Sequence, residues 1–210
     1  MAVYDLKDQE EIENFKYFWR NWGRWLFALL IAGAAAYFAW VMYQQHQKTK
    51  NGEAAAALAA LVGKAQNSKD DKAVQADLSG LQQNYPSSIA AAQATMMVAA
   101  DAFDKGRYDE AEKQLLWVLQ NQKEPFVQAL AVQRLATVQM QQKKYDAALA
   151  TLNTPTDPAF AAAIDETRGD VYGAQGKAKE AAAAYAQALD KTPQDAPGRP
   201  LLQLKADTAQ

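Results

Sequence analysis

The residues that could do chemistry in this sequence are few and lie far apart. His46 is the single histidine and the chain has no cysteine. The sequence therefore offers no thiolate or imidazole metal site, and no Ser/His or Cys/His pair for nucleophilic catalysis. We interpret His46, which follows a long apolar run, as a residue of a membrane interface. These features predict a protein that is not an enzyme and has no metal or cofactor.

Adjacent carboxylates and closely spaced glycines also favour structural explanations. Asp70 and Asp71, like Asp109 and Glu110, lie at predicted helix N-termini, where negative side chains interact favourably with the helix dipole. General acid–base chemistry is the weaker interpretation. Three glycines spaced i, i+4 and i+7 are typical of small-residue helix packing rather than of a phosphate-binding loop. They are Gly169, Gly173 and Gly176.

The composition predicts an all-α protein. The chain has 45 Ala and 22 Gln against 10 Val and 4 Ile among 210 residues. Alanine and glutamine favour helices, whereas Val and Ile supply most strand propensity. With 22 Lys+Arg against 24 Asp+Glu the net charge is −2, so the chain has no global positive field and no nucleic acid partner is predicted.

An uncharged run from Trp25 to Tyr43 predicts a single transmembrane helix. At 1.5 Å per residue its 19 residues span roughly 28 Å, close to the ~30 Å hydrocarbon core of a bilayer. Tryptophan and tyrosine flank both ends, as in membrane-interface belts. A buried core helix and a cleaved signal peptide are the alternatives. The second is disfavoured because about two dozen residues precede the run and because Trp40 to Tyr43 is too bulky for a cleavage site.

The basic residues that flank the span predict its orientation. Four precede it and two follow it closely, which favours a cytoplasmic N-terminus. They are Lys7, Lys16, Arg20 and Arg24 before the span, and Lys48 and Lys50 after it. The rest of the chain would then lie in the periplasm of a Gram-negative cell, with the protein in the inner membrane.

The N-terminal tail carries an aromatic stripe at helical spacing. Its members are Ile12, Phe15, Phe18, Trp19 and Trp22. An interfacial amphipathic helix that leads into the span is the simpler interpretation. A docking segment for a soluble cytoplasmic partner is the alternative.

Three segments beyond the span align with one another and predict helical hairpin repeats. Small residues correspond at two positions of each segment, and a large residue follows the second by four. The first positions are Ala99, Ala136 and Gly169, the second are Ala111, Ala148 and Ala181, and the large residues are Leu115, Leu152 and Tyr185. Antiparallel helices can approach closely only where their contact points lack bulk, so the pattern predicts two touching helices per unit. An unrelated alanine-rich bundle is the alternative.

The predicted turns support the same units. Gly106 and Gly176 can adopt the positive φ that closes a helix, whereas Lys143 replaces glycine in the second unit at a conformational cost. A weaker unit with Val74 and Leu78 precedes these three. Pro86 lies at a predicted turn, and two later helix starts are marked by Pro125 and Pro158.

We therefore divide the chain into five segments, which are a cytoplasmic tail (1–24), a transmembrane helix (25–43), a helical extension that starts the first hairpin (44–66), tetratricopeptide-like repeats (67–192) and a C-terminal capping segment (193–210). Leu201, Leu202 and Leu204 would form a short capping helix. The predicted architecture is an α-solenoid behind one membrane helix.

This order of segments, with the sequences at 15–19, 21–23, 133–139 and 165–170, resembles the YfgM family of ancillary SecYEG translocon subunits. The resemblance implies a membrane-tethered adaptor at the periplasmic exit of the translocon that links periplasmic chaperones to translocated proteins. The implied partners are SecYEG, a membrane-bound periplasmic chaperone, translocated client proteins and the lipid bilayer. An envelope scaffold for cell division or peptidoglycan assembly is the alternative function.

The first helices of stacked hairpins line the concave face of a solenoid, so we predict a protein-binding surface there. Met and Phe beside polar groups suit an adaptable protein contact. The alternative is that Met96, Phe103 and Leu130 are core residues. The predicted surface comprises Gln93, Met96, Phe103, Leu130, Gln133, Thr137, Met140, Glu166 and Asp170.

Overall fold

The structure, a computed structural model, describes residues 12–13, 15–67 and 71–209, except the side chains of Asn21 and Arg24. The described part of the chain does not include Lys7 or the side chain of Arg24, two of the basic residues that precede the span. It also does not include Asp70 of the first carboxylate pair. The chain forms two compact units, Met1–Lys50 and Asn51–Gln210. We refer to them as the anchor unit and the repeat unit.

Helix α1, Arg24–Asn67, contains the predicted span and continues through Gly52 and Gly63 without a break. All residues from Trp25 to Tyr43 are exposed, which is opposite to the burial of a soluble core helix. In the part of the chain that the structure describes, α1 is the one helix long and apolar enough to cross a membrane, with a mean hydropathy of 1.9 over its most apolar stretch.

A π-helical turn, Trp19–Gly23, immediately precedes α1. The rings of Phe15 and Trp19 stack with centroids 6.2 Å apart, and the indole of Trp19 lies so close to Gly23 that an added Cβ would meet its Cδ2 at 2.9 Å. The aromatic residues of the tail stripe are otherwise exposed. The stripe is thus an apolar surface within the anchor unit.

The repeat unit consists of short helices joined by tight turns. Its helices are α2 (Asp71–Asn84), α3 (Ile89–Asp104), α4 (Tyr108–Asn121), α5 (Pro125–Gln141), α6 (Tyr145–Leu152), α7 (Ala161–Ala174), α8 (Ala178–Lys191) and α9 (Arg199–Thr208), with a 3₁₀ turn, Pro158–Phe160, before α7. This all-helical array confirms the predicted fold class.

The aligned small residues lie where the helices of each pair touch, which confirms the repeat alignment. Ala99 of α3 and Ala111 of α4 are 3% and 0% exposed, and Ala136 of α5 and Ala148 of α6 are both 0% exposed. The larger residues that follow are buried too: Leu115 and Leu152 in the first two pairs, and Tyr185 in the third. Each hairpin therefore closes over small side chains and fills the adjacent space with a large one.

The turns within the three pairs have one common geometry. Gly106 and Gly176 have φ values of 72° and 74°, and Lys143 takes the same left-handed conformation with φ 60°. In each turn the amide of the residue that follows the left-handed residue donates to the carbonyl five residues back, as from Lys144 N to Gln139 O at 2.8 Å. This is the hydrogen bond of a Schellman motif. The predicted equivalence of a lysine with two glycines is confirmed.

The turns between pairs begin new helices as the prolines predict. The Ser88 side chain caps α3 by accepting from the Ala91 amide at 3.1 Å. Pro125 is the first residue of α5, where its missing N–H costs nothing. Pro158 opens the 3₁₀ turn rather than α7 itself, and the Asp157 carboxylate accepts from the Ala159 amide there at 2.9 Å.

Both ends of the repeat unit are closed by further helices. The last turns of α1 pack on α2 and α3 through buried leucines, including Leu61, Leu78 and Leu81. At the other end, α9 packs on α8 with Leu202 and Ala206 buried. Of the three leucines that predicted a capping helix, Leu201 and Leu204 are 59% and 57% exposed. Helical geometry turns one of the three toward α8 and two toward solvent.

Candidate protein-binding surface

The predicted surface residues of α3, α5 and α7 fall into three environments. Phe103 and Thr137 line an open cavity between α3 and α5. Met96, Leu130 and Met140 belong to the packed interior, with Met96 fully within it. Three polar members, Gln133, Glu166 and Asp170, make contacts inside the repeat unit. The fourth, Gln93, faces solvent.

The cavity between α3 and α5 has a volume of about 200 Å³. Its walls are largely apolar, formed by Ala99, Ala100 and Phe103 with Leu115 behind them. Two charged residues lie at its mouth, Asp104 on α3 and Arg134 on α5, and both are exposed. The sequence prediction missed both. Arg134, Thr137 and Val138 have i, i+3, i+4 spacing and therefore lie on one face of α5. Because Thr137 was predicted to lie on the surface, this spacing also indicates Arg134 as a surface residue.

The small residues of the hairpin contact leave this cavity open. Ala99 and Ala100 extend only a methyl group from α3, so Phe103 has space on one side. The Phe103 ring packs against Tyr108 with centroids 5.4 Å apart, which fixes its orientation. The structure therefore offers an open apolar depression with one positive and one negative side chain at its rim.

Of the three residues that the alternative interpretation placed in the core, Met96 is buried, whereas Phe103 and Leu130 are half-buried and pack against the same cluster. Met96 is 6% exposed and packs in the cluster of α3, α4 and α5. Leu130 is half-buried against the same cluster. Met140, also half-buried, packs against α6 and α7 residues including Leu149 and Ile164. Residues on the first helix of a hairpin also face its second helix, so helical spacing alone did not separate the two faces.

The polar contacts join neighbouring pairs. The Gln133 side chain of α5 donates to the Thr167 hydroxyl of α7 at 3.0 Å. Thr167 in turn donates to the Ala163 carbonyl at 2.9 Å. Gln133 is thus engaged in holding α5 beside α7.

The acidic residues of α7 are paired with the C-terminal helix. Lys205 of α9 lies 2.8 Å from both Glu166 and Asp170, and Tyr185 of α8 donates to Asp170 at 2.8 Å. Burial alone would lower the pKa of Lys205, but its hydrogen bonds to Asp170 and Glu166 raise it above the ordinary value. The capping helix therefore covers the part of the predicted surface that α7 contributes.

Burial and the hydrogen bond to Asp170 together raise the pKa of the Tyr185 hydroxyl well above its ordinary value. Tyr185 is consequently neutral and acts as a hydrogen-bond donor throughout the physiological range. The group is structural, because it ties α8 to α7 beneath α9.

A larger open cavity of about 760 Å³ lies among α2, α3 and the start of α4. Four side chains on its wall form a closed ring of ion pairs: Lys105 contacts Asp71 at 3.0 Å and Asp101 at 2.8 Å, and Arg107 contacts the same two carboxylates at 3.3 and 3.1 Å. The hydrogen bond from Lys105 lowers the pKa of Asp71. Each charge in the ring already has opposite charges beside it, so the ring fastens α2 to the turn between α3 and α4.

A similar set of polar contacts links α4 to α5 and to the turn that follows α5. Glu112 accepts from Lys144 at 2.9 Å and from Gln139 at 3.2 Å. Partial burial would raise the pKa of Glu112, but these hydrogen bonds lower it. Among the described residues, no three histidine or acidic side chains are arranged to hold a metal ion.

Comparison with known proteins extends these observations to the whole chain. The model of the tetratricopeptide repeat-like domain family matches residues 16–210. A protein of Neisseria gonorrhoeae named ancillary SecYEG translocon subunit is 56% identical over 208 residues, which cover 99% of each chain. Proteins of the same name from Haemophilus influenzae and Escherichia coli are each 27% identical, over 186 and 185 residues, and the alignments cover 89% and 88% of this chain and 90% and 88% of theirs.

Proposed function

The chain belongs to the YfgM family of ancillary SecYEG translocon subunits, built on a tetratricopeptide repeat-like domain, and from this membership we propose that it is a membrane-tethered protein-binding adaptor at the periplasmic exit of the translocon. It would associate with SecYEG and bring a membrane-bound periplasmic chaperone to proteins that emerge there. Its role would be binding, not catalysis.

The proposed anchor is the segment from Trp25 to Tyr43 of α1. Its residues are all exposed within the anchor unit, and apolar side chains such as Leu29 and Leu30 are 72% and 70% exposed. Burial of such surface in a bilayer is strongly favourable. The excess of basic residues before the span supports a cytoplasmic N-terminus, with the repeat unit in the periplasm and the protein in the inner membrane.

The single observation that carries the binding role is the apolar cavity beside Phe103. Its volume of about 200 Å³ accommodates one large apolar side chain of a partner. The charged rim of Asp104 and Arg134 can pair with either sign of charge on the flanking residues of that partner. Such a site suits many unrelated sequences, which is the requirement for contact with varied translocated proteins or with one chaperone segment.

The adaptor role is tested by site-specific photo-crosslinking of the full chain in its native membrane. A photoreactive phenylalanine analogue at position 103 should crosslink to a periplasmic chaperone or to a translocating protein. The same analogue at Gln120, an exposed residue of α4, serves as the matched control. Crosslinks to cell-division or peptidoglycan enzymes from position 103 would favour the alternative role as an envelope scaffold.

The topology is tested separately. A reporter that is active only in the periplasm, fused after Gln210, should be active, whereas a cytoplasmic reporter at the same point should be silent. The opposite pattern would show that the flanking charges do not set the orientation. Replacement of Arg20 and Arg24 by Glu should weaken the orientation, because these charges lie nearest the span.

A further inference from the structure

Two charged side chains at the mouth of the cavity beside Phe103 have no partner in the described part of the chain. Asp104 and Arg134 are both exposed, and among the described residues neither takes part in a hydrogen bond or an ion pair. The other described arginines of the repeat unit all contact carboxylates or backbone carbonyls; they are Arg107, Arg168 and Arg199. The guanidinium of Arg134 is therefore available to pair with another protein.

The fold gains nothing from a charge at either position. Asp104 is the last residue of α3, where the negative end of the helix dipole disfavours a carboxylate. In the groove between α5 and α7, the repeat alignment places Gln141 and Thr167 at the positions of Asp104 and Arg134. Both are uncharged, and Gln133 bridges that groove by donating to Thr167 at 3.0 Å. The stacking of helix pairs consequently does not require charges at these positions.

The two charges lie at opposite ends of the cavity. Helices α3 and α5 run in the same direction, because the chain reverses twice between them. Along this direction Asp104 is the last α3 residue on the cavity wall, and Arg134 is the first α5 residue. Relative to the aligned Ala99 and Ala136, Asp104 lies five residues after and Arg134 two residues before. At 1.5 Å per residue this separation corresponds to roughly 10 Å along the helices.

The size of the cavity favours an extended partner segment. A helix bound in a groove inserts several side chains, at i, i+3 or i+4 and i+7, whereas a volume of about 200 Å³ takes one large apolar side chain. In an extended chain the residues i, i+2 and i+4 point to one side and span roughly 13 Å. With the middle side chain in the cavity, the outer two would reach its two ends, and the long side chain of Arg134 makes up the difference in length.

We propose that the cavity beside Phe103 selects extended protein segments in which one large apolar residue lies between an acidic and a basic residue. The acidic residue pairs with Arg134 and the basic residue with Asp104, while the apolar side chain enters the cavity. Because only side chains fix the segment, either order of the two charges along it is accepted. This inference rests on the proposed adaptor function and deepens it, since it states which segments of a chaperone or a translocated protein are bound.

Three synthetic peptides that differ only in their charges test the selection. Each is biotinylated and has the sequence Glu-Ser-Xaa-Ser-Lys, Glu-Ser-Xaa-Ser-Glu or Lys-Ser-Xaa-Ser-Lys, where Xaa is a photoreactive phenylalanine analogue. The full chain in mild detergent is irradiated with increasing concentrations of each peptide at low ionic strength. The yield of crosslinked chain is measured, and the crosslinked residues are mapped by mass spectrometry.

We expect crosslinks to the cavity wall, and half-saturation by the mixed-charge peptide at a concentration about three- to tenfold lower than by the other two. This ratio is typical of one exposed ion pair replaced by a like-charge contact.

Charge reversal at the rim should switch the preferred peptide. Arg134→Glu leaves two acids at the cavity and should favour the peptide with two lysines, whereas Asp104→Lys should favour the peptide with two glutamates. Lys113→Glu, the same charge change at an exposed residue of α4, is the matched control and should keep the preference for mixed charges. All three positions are exposed, so the melting temperatures should stay unchanged.

Equal crosslinking of the three peptides to the cavity would overturn the charge selection and leave the adaptor function standing. A preference that does not switch in Arg134→Glu and Asp104→Lys would assign the selection to other residues and would also overturn the proposal. So would the absence of cavity crosslinks with any peptide at millimolar concentration. The adaptor function itself would still be decided separately, by the crosslinks that position 103 forms in the native membrane.

Discussion

The first and third helix pairs solve the same packing problem with different residues. In the pair of α3 and α4, Ala99 and Ala111 form the contact and Leu115 fills the space beside it. In the pair of α7 and α8, Gly169 replaces the first alanine and Tyr185 replaces the leucine. A Cβ on Gly169 would lie less than 3.0 Å from three ring atoms of Tyr185. The smaller residue thus makes room for the larger one.

The exchange also adds a polar function to the third pair. The Tyr185 hydroxyl reaches Asp170, which Lys205 of α9 contacts as well, so the tyrosine connects the last pair to the capping helix. Leu115 has no polar atom and makes no such link. Equivalent positions of the repeat therefore preserve the fit between residues rather than the size of any one residue.

The largest expected effect comes from removal of this fit in the third pair. Gly169→Leu would force the Tyr185 ring from its place, and overpacking of a core typically costs about 1–3 kcal/mol. We expect the free energy of unfolding of the repeat unit, measured by urea denaturation, to fall by about 3 kcal/mol, the upper end of this range.

Conversion of the third pair to the type of the first is the control. Gly169→Ala together with Tyr185→Leu should be more stable than Gly169→Ala alone, because the leucine leaves space for the added methyl. If the double variant is less stable than the single one, the two pairs do not share one packing rule.

The second pair supplies a substitution of intermediate effect. Ala136→Leu and Ala148→Leu each place bulk at a contact that is 0% exposed, at a cost of about 1–3 kcal/mol. Thermal denaturation of the repeat unit should show a lower melting temperature for both. Gln120→Leu, at an exposed site on α4, should change it little. Equal effects at all three positions would deprive the repeat alignment of structural meaning.

The hydroxyl of Tyr185 makes the third pair sensitive to alkaline pH, whereas Leu115, its counterpart in the first pair, cannot ionise. Because burial and the hydrogen bond to Asp170 raise its pKa in the folded state, its contribution is complete below the unfolded pKa of about 10 and is lost as the pH rises above that value. The raised pKa of Lys205 acts in the same direction.

Tyr185→Phe should cost about 1 kcal/mol at neutral pH, the value of a hydrogen bond, and should reduce the loss of stability between neutral and strongly alkaline pH. Urea denaturation at both pH values measures this. An unchanged pH dependence in the variant would show that the tyrosine does not report the environment described.

The smallest effect concerns the turns, where the second pair differs from the other two. Lys143 holds a left-handed conformation that Gly106 and Gly176 adopt without strain. Lys143→Gly should therefore raise the stability by up to about 1 kcal/mol, since relief of roughly 1–2 kcal/mol is offset in part by the greater freedom of glycine in the unfolded chain. Gly106→Ala should have the opposite sign. Destabilisation by both would contradict the shared turn geometry.

The sequence predicted the parts of the fold that depend on local spacing. The recurrence of Ala99, Ala136 and Gly169 placed the hairpins, and Gly106 and Gly176 placed their turns. Both signals act over a few residues, through close helix contact and positive φ. The second turn could be predicted even though Lys143 replaces the glycine, because the small residues on both sides of it keep their spacing.

Contacts between distant segments could not be predicted in the same way. Lys205 lies more than thirty residues from Glu166 and Asp170, and no local pattern indicates that α9 folds back over them. Likewise, spacing marked Met96 and Phe103 alike as surface candidates, but packing put the first in the core and the second at a cavity. Arg134 was missed although its i, i+3 spacing with Thr137 places both residues on one face of α5.

The central claim is that the cavity beside Phe103 receives a side chain of a periplasmic protein, and partner crosslinking with a blocked cavity tests it most directly. Thr137→Trp should fill the cavity from the α5 wall, while the melting temperature stays within a few degrees of that of the parent chain. With the photoreactive analogue at position 103, we predict that crosslinks to the chaperone or translocating protein disappear in this variant while association with the membrane persists. Undiminished crosslinking with the cavity filled would contradict the account.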